Sequence, residues 1–200
     1  MDVNDRLARR LHSLRSAQGL SLDALAARSG VSRSNISLIE RGQSSPTATV
    51  LDKLSAALGV TLAVLFDAEP AAAAPPSPLA RRADQPLWTD PASGYRRRNL
   101  SPQGPAPVQL VEVEFPPGQH VAYETGPRPA DVHQQVWLIS GAMQLTVGPD
   151  TWLLQAGDCL AMRLDQPILF HNPGEQPARY LVALATGPWP GGPPTDRRPA

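Results

Sequence analysis

Ser32, Arg33, Ser34 and Asn35 stand together where a short helix should begin. The chemistry they can do is hydrogen bonding to nucleobase edges. Arginine pairs with guanine in bidentate fashion, and asparagine does the same to adenine. One turn later Ser37 and Leu38 share that face, Leu38 suited to a thymine methyl. Ser21, Ser32 and Arg41, with the free N–H groups at helix starts, suit phosphate contacts that set register. A buried helix has no use for Ser-Arg-Ser-Asn at its opening. A second set of reactive side chains, His120, His133 and His171 with Glu124 or Asp131, holds the residue types of a metal site. Hydrogen-bonded or exposed imidazoles are the plainer reading of each histidine.

The polar turn needs helices to hold it. Leu7, Leu11 and Leu14 recur at helical spacing with Arg9, Arg10 and Arg15 between them, and this first helix ends near Gly19. Ser21 caps a second helix with Leu22, Leu25 and Ala26 inward. Gly30 permits a sharp turn, and Val31 plugs it. Ser32 caps a third helix that buries Ile36 and Ile39 and stops at Gly42. A fourth follows Pro46 and Thr47, with Val50, Leu51, Leu54 and Leu58 inward. Thr61 is expected to cap a short fifth helix ending near Phe66. The prediction is an all-α bundle of five short helices.

The 200 residues carry no net formal charge, which hides an asymmetry. Residues 1–66 hold eight Lys/Arg against five Asp/Glu, and residues 108–200 hold five against nine. A mildly basic head suits phosphate, and the acidic second half argues against another nucleic-acid surface there. Cys159 is the single cysteine, so no intrachain disulfide forms; it reads as a small buried hydrophobe, with a redox sensor as the alternative. Met1 to Arg10 is charged, unlike a signal peptide, and no apolar run approaches the roughly 18 residues of a membrane span. A cytoplasmic protein is expected.

Composition divides the chain into a helical domain (1–69), a Pro/Ala-rich linker (70–91), a strand-rich domain (92–187) and a flexible tail (188–200). Strand patterns run through VQLVEVEF, HQQVWLI, AMQLTV, TWLLQA, CLAMRL, ILF and ARYLVALA, broken by SG, GPD, GD, DQP and NPGEQP. Regular short strands of this kind predict an all-β sandwich or barrel. Arg96, Arg97 and Arg98 read as a solvated strand face in preference to a DNA or ligand contact.

The run LAARSGVSRSNISLIERGQSSPT and the following LDKLSAALGVTL carry a resemblance to the bacterial Xre-type regulators. It spans Leu7 to Phe66 and combines turn glycine, turn valine, two isoleucines, the ERG end and the SPT cap. The resemblance implies a helix-turn-helix that reads double-stranded DNA, and an ion pair between Arg15 and Glu40 that holds the recognition helix.

The segment from His133 to Ala185 resembles the cupins, whose fold is a double-stranded β-helix barrel. The matching features are Gly141, Gly148, the turn at Gly157 and Asp158, and Asn172 to Gly174. Many cupins bind metal through three histidines and a glutamate. Aligned on those motifs, the glutamate position holds Gln134, two histidine positions fall within Pro127, Arg128, Pro129 and Ala130, and the last histidine position holds Ile168. An amide and an isoleucine are poor ligands, so no metal or other cofactor is expected and the chain is read as not an enzyme. If parity follows the family, His133 and His171 are out of phase with the interior. Val136, Leu138, Met143, Leu145, Val147, Ile168 and Phe170 share the inferred inward phase. Gln134 joins them, with Tyr123 and Trp137 near the mouth and His133 at the rim. Such a cavity suits a small organic effector; a filled core is the competing reading.

The expectation is therefore a homodimeric, sequence-specific transcriptional regulator that reads an inverted repeat, its metal-free cupin domain dimerising and sensing a small molecule. The alternatives are a metal-dependent cupin enzyme, such as an isomerase or dioxygenase, with a regulatory head, and an antitoxin-like interaction protein.

Overall fold

A computed structural model describes residues 2–67, 77–104, 106–124 and 132–187. Asp131, the stretch Pro127–Ala130, the first part of the expected linker (70–76) and the tail expected at 188–200 lie outside the described residues.

The helical head contains α1 (Val3–Ala17), α2 (Leu22–Ser29), α3 (Arg33–Glu40) and α4 (Ala48–Ala57), then a 3-10 segment, Leu62–Phe66. The expected fifth α-helix is thus a 3-10 turn, and the head has four α-helices. Local chemistry explains the ends. The Ser21, Ser32 and Thr47 hydroxyls accept from Ala24, Asn35 and Val50 N–H, each satisfying an orphan donor of a first turn. Gly30 takes φ 68° between α2 and α3, a left-handed conformation that favours glycine. Thr61 makes no such cap; its hydroxyl donates instead to Gln109 Oε1 at 2.6 Å, outside the head.

The second half is antiparallel throughout. β1 (Leu87–Thr89), β2 (Arg96–Asn99), β3 (Val108–Phe115), β10 (Ala178–Thr186), β5 (Val132–Ser140) and β8 (Cys159–Arg163) form one sheet in the order β1-β2-β3-β10-β5-β8. A second has the order β4-β9-β6-β7, from β4 (His120–Tyr123), β9 (Ile168–His171), β6 (Ala142–Val147) and β7 (Asp150–Gln155). The chain passes between sheets at Gly141 (φ 83°), where an added Cβ would stand 2.8 Å from Ala178 Cα and 2.9 Å from Pro177 O. Only glycine fits there. The expected inward residues Val136, Leu138, Met143, Leu145, Val147, Ile168 and Phe170 are all buried between the sheets.

Three further expectations change. Leu87–Thr89, in the segment read as linker, is a strand of the large sheet with Trp88 fully buried. Cys159 is exposed, because it pairs with outward-facing Trp137 across β5 and β8. Arg97 is 7% exposed, while Arg96 and Arg98 pair with Glu114 and Glu112; strand alternation puts the middle arginine of the run inside.

The head has two apolar faces. Leu11, Leu20, Leu25, Val31, Ile36, Ile39, Leu54 and Leu58 close its own core. Leu7, Ala48, Leu51, Leu62, Ala63, Leu65 and Phe66 belong instead to the core of the sheets. At that seam Phe66 meets Trp88 (ring centroids 5.6 Å apart) and Asn99 Nδ2 donates to Ala63 O at 3.0 Å. Asp90, 2% exposed, accepts from the Ala48 N–H at 3.0 Å, and its other oxygen accepts from Ser93 N at 2.9 Å. A sheet-domain carboxylate therefore caps α4, where the helix dipole favours negative charge. No described helix is long and apolar enough to cross a membrane.

Trp88→Ala should lower stability by about 3–5 kcal/mol through the cavity it leaves. Since that cavity opens on Phe66, calorimetry should show head and sheets melting as one transition in the parent and separately in the variant.

Candidate nucleic-acid interface and the cavity beneath the head

α2 and α3 are joined by Gly30, Val31 and Ser32, and Val31 is buried in the head core. This anchors the start of α3 from below and leaves its first turn facing outward. Ser32, Arg33 and Ser34 are exposed and Asn35 is half-buried. Ser37 is half-buried, while Leu38, Arg41 and the N-cap Ser21 are exposed. Ile36 and Ile39 of the same helix are buried in the head core. Arg33 Nε lies 3.2 Å from Asp23 Oδ1, both side chains mostly exposed. A pair so open to water is worth little, so Arg33 can leave it for a base at small cost.

The far end of α3 is tied down. Arg15 Nε and Nη2 donate to Glu40 Oε1 and Oε2 at 2.6 and 2.7 Å, and Arg15 Nη1 donates to Leu20 O at 2.7 Å. His12 Nδ1 stands 3.1 Å from Glu40 Oε2. The Glu40 and Arg15 side chains are only 7% and 13% exposed. Burial alone would push the Glu40 carboxyl up, but the hydrogen bonds from Arg15 and His12 hold it below the usual carboxylate value; the same pair raises Arg15. Three helix-linked points, α1, the α1–α2 turn and α3, are joined by one guanidinium.

A cavity of about 60 Å³ lies where the head meets the sheets. Of the sequence-predicted ligand residues, Tyr123, Gln134, Ile168 and Phe170 line it. Val136, Leu138 and Met143 do not: they are fully buried in the packed core, because an inward phase does not say which level of a strand stays open. Trp137 faces solvent, 47% exposed, on the opposite parity of β5. His133 is half-buried at the strand's start, with Nε2 3.1 Å from Gly187 O.

Sequence reasoning missed the rest of the wall. Asp52, Thr61 and Leu62 come from the head, Arg97 and Tyr180 from the large sheet, and Tyr95 from the residue just before β2. The alternation Tyr95, Arg97, Asn99 along β2 and the residue before it was the available signal for Arg97. The Tyr95 and Tyr123 hydroxyls are 3.1 Å apart. Burial pushes Tyr95, Tyr123 and Tyr180 up, so their hydroxyls stay protonated as donors. Among the described residues no three of His, Cys, Asp and Glu stand close enough to hold a metal ion.

Residues 11–65 match the helix-turn-helix family HTH_3. The chain is 27% identical over 174 residues to the HTH-type transcriptional regulator SutR of Escherichia coli (strain K12), covering 87% of this chain and 91% of that protein. It is 45% identical over 64 residues to the HTH-type transcriptional regulator SlrR of Bacillus subtilis (strain 168), or 32% of this chain and 42% of that one. The crystal structure of an HTH_3 family transcriptional regulator from Vibrio cholerae superposes with a TM-score of 0.73 at 23% identity, covering 94% of this chain and all of that one. That likeness establishes a shared fold across head and sheets together.

Glu40→Gln should cost on the order of 3–5 kcal/mol, since it leaves Arg15 buried without its countercharge. The intact pair contributes fully above the unfolded carboxyl value near 4.5 and loses that contribution as pH falls through the lower folded value. Denaturant titrations across acid pH should show that loss in the parent and its absence in Glu40→Gln.

Proposed function

We propose, for a chain whose residues 11–65 are a helix-turn-helix segment of the HTH_3 family, that it is a sequence-specific DNA-binding transcriptional regulator. The observation that carries this is the α3 first turn: Ser32, Arg33, Ser34 and Asn35 project from a helix whose opposite face is buried and whose end is locked by Arg15 and Glu40. Arg33 and Asn35 read bases in the major groove, Ser37 and Leu38 extend that face, and Ser21, Ser32 and Arg41 hold phosphates. The regulators of E. coli and V. cholerae that this chain resembles over most of its length support the assignment.

The finer reading is a homodimer on an inverted repeat, with half-site centres about 34 Å apart or a multiple of that. Two-fold symmetry would present two α3 helices to one face of the duplex. Trp137 and Leu153, exposed apolar side chains of the sheet domain, are the kind of surface a second copy covers. The two sheets are read as a cupin barrel that dimerises and senses a small molecule without a metal. Gln134 and Ile168, at positions that the motif alignment gives to metal ligands in that family, support it, since both line the cavity with groups that are poor ligands. A cupin enzyme with a regulatory head is the rival. Stoichiometric iron, zinc, nickel or manganese in purified protein would favour it.

Sequencing of DNA fragments captured by the protein should return one palindromic motif, and light scattering should give twice the chain mass. Arg33→Ala and Asn35→Ala should each relax preference at one base pair by about 1–3 kcal/mol. Unchanged base preferences in both variants, or a monomer without preferred sites, would refute the reading.

A further inference from the structure

The middle arginine of the β2 run is a buried cation with unmade hydrogen bonds. Its neighbours Arg96 and Arg98 have carboxylates, Glu114 and Glu112. Arg97 turns to the other face, is 7% exposed and lines the cavity. Its Nε and Nη2 are buried and have no hydrogen-bond partner among the described residues. These two N–H groups form one edge of the guanidinium, the fork that meets both oxygens of a carboxylate at once. The Phe66 ring lies 5.8 Å from the guanidinium carbon and attracts the cation without using its N–H groups. Leaving the donors of a buried charge unused is costly, and a carboxylate on that edge removes the cost.

The rest of the wall selects among anions. The Tyr95 and Tyr123 hydroxyls are 3.1 Å apart; one donates to the other, and the second keeps a proton to donate. Gln134, 8% exposed, has only the Met162 sulfur, a weak acceptor, 3.9 Å from its Nε2. Val113, Ile168 and Leu184 add apolar surface. Arg97 is the single cationic side chain among the described residues that line the space. A second negative charge, as on a dicarboxylate or sulfate, would therefore be buried there without a cation of its own. Asp52 also lines the space and already has an interaction of its own, so nothing in the ligand has to pair with it. The volume, about 60 Å³, corresponds to roughly two to four waters, so the acid is short.

We infer that this cavity binds a short-chain monocarboxylic acid as its anion, the carboxylate held side-on by Arg97 and the chain among Val113, Ile168 and Leu184. This rests on the effector-sensing reading above and gives it a chemical class. Thr61 and Leu62 of the head line the same space, and Phe66 of the head lies against Arg97. A ligand held here therefore favours the docked arrangement of head and sheets over any in which the head has shifted.

The test uses the full chain and calorimetric titration with acetate and propionate, each against sodium chloride at matched ionic strength, alongside their neutral amides and inorganic sulfate. One or both acids should bind and raise the melting temperature. Each amide, close in shape but uncharged, should bind more weakly than its acid by about tenfold or more, and sulfate more weakly than the better acid by a similar factor. Arg97→Lys keeps the charge but loses the fork and should weaken binding of the better acid by about tenfold or more. No binding by either acid, an amide or sulfate binding as tightly as the better acid, or equal affinity in parent and Arg97→Lys would each overturn the proposal. The comparison among ligands needs only the parent protein, so a variant that fails to fold does not rescue the idea. DNA affinity with and without the acid is read separately. Acid binding that leaves DNA affinity unchanged would sink the sensing reading alone, and a response of DNA affinity to another small molecule, with neither acid bound, would sink this one alone.

Discussion

One carboxylate sets how the two halves of this protein meet. Asp90 sits at the end of the first sheet strand, buried, with one oxygen on the opening N–H of α4 and the other on Ser93. A helix start leaves N–H groups that need acceptors, and here the acceptor comes from the other domain. Around it the head gives up part of its apolar surface. A unit of some sixty residues has little interior of its own, and Leu7, Leu51, Leu65 and Phe66 find theirs among the sheet residues. The head is therefore not a bead on a string. The α4 helix belongs to both cores, with Leu54 facing inward to the head and Leu51 facing the sheets.

That shared packing links α3 to the interior. Aromatic rings run without a break from Phe66 through Trp88, Tyr95, Phe115, Tyr180 and Phe170 to Tyr123, each centroid 5.5 to 6.4 Å from the next. The column begins in the head and ends at the cavity wall. Packed interiors resist continuous deformation, so a change in what fills the cavity is opposed by a contiguous stack that includes head residues. On the other side, Arg15 and Glu40 fasten α3 to α1, and α1 contributes Leu7 to the seam. α3 is thus held by contacts that themselves reach the sheets.

Much of this was legible in residue order. Serine and threonine caps, the turn glycine at position 30 and the buried isoleucines of α3 are local features, and each occurs where the pattern placed it. Alternation in β5, β6 and β9 also declared inward residues, Val136, Leu145 and Phe170 among them. The misreadings share one cause. Thr61 was expected to cap a helix, but its hydroxyl had a better partner in Gln109, 48 positions along the chain. Trp88 lay in a segment that composition marks as linker, yet a partner strand and the Phe66 ring bury it. Arg97 was hidden in a run of three arginines whose average looks solvated, although pleating turns only the middle one inward.

Residue order by itself determined the helix-turn-helix, its polar first turn, seven of the strands and the inward residues of β5, β6 and β9, because caps, turns and periodicity act over a few residues. Only the tertiary structure decided that the head shares the core of the sheets, that Arg97 and Asp52 face one space from opposite sides, and which inward residues line an opening and which fill the core. Those outcomes depend on how two separately patterned surfaces close on each other. A void is what packing leaves over, and no single segment encodes it.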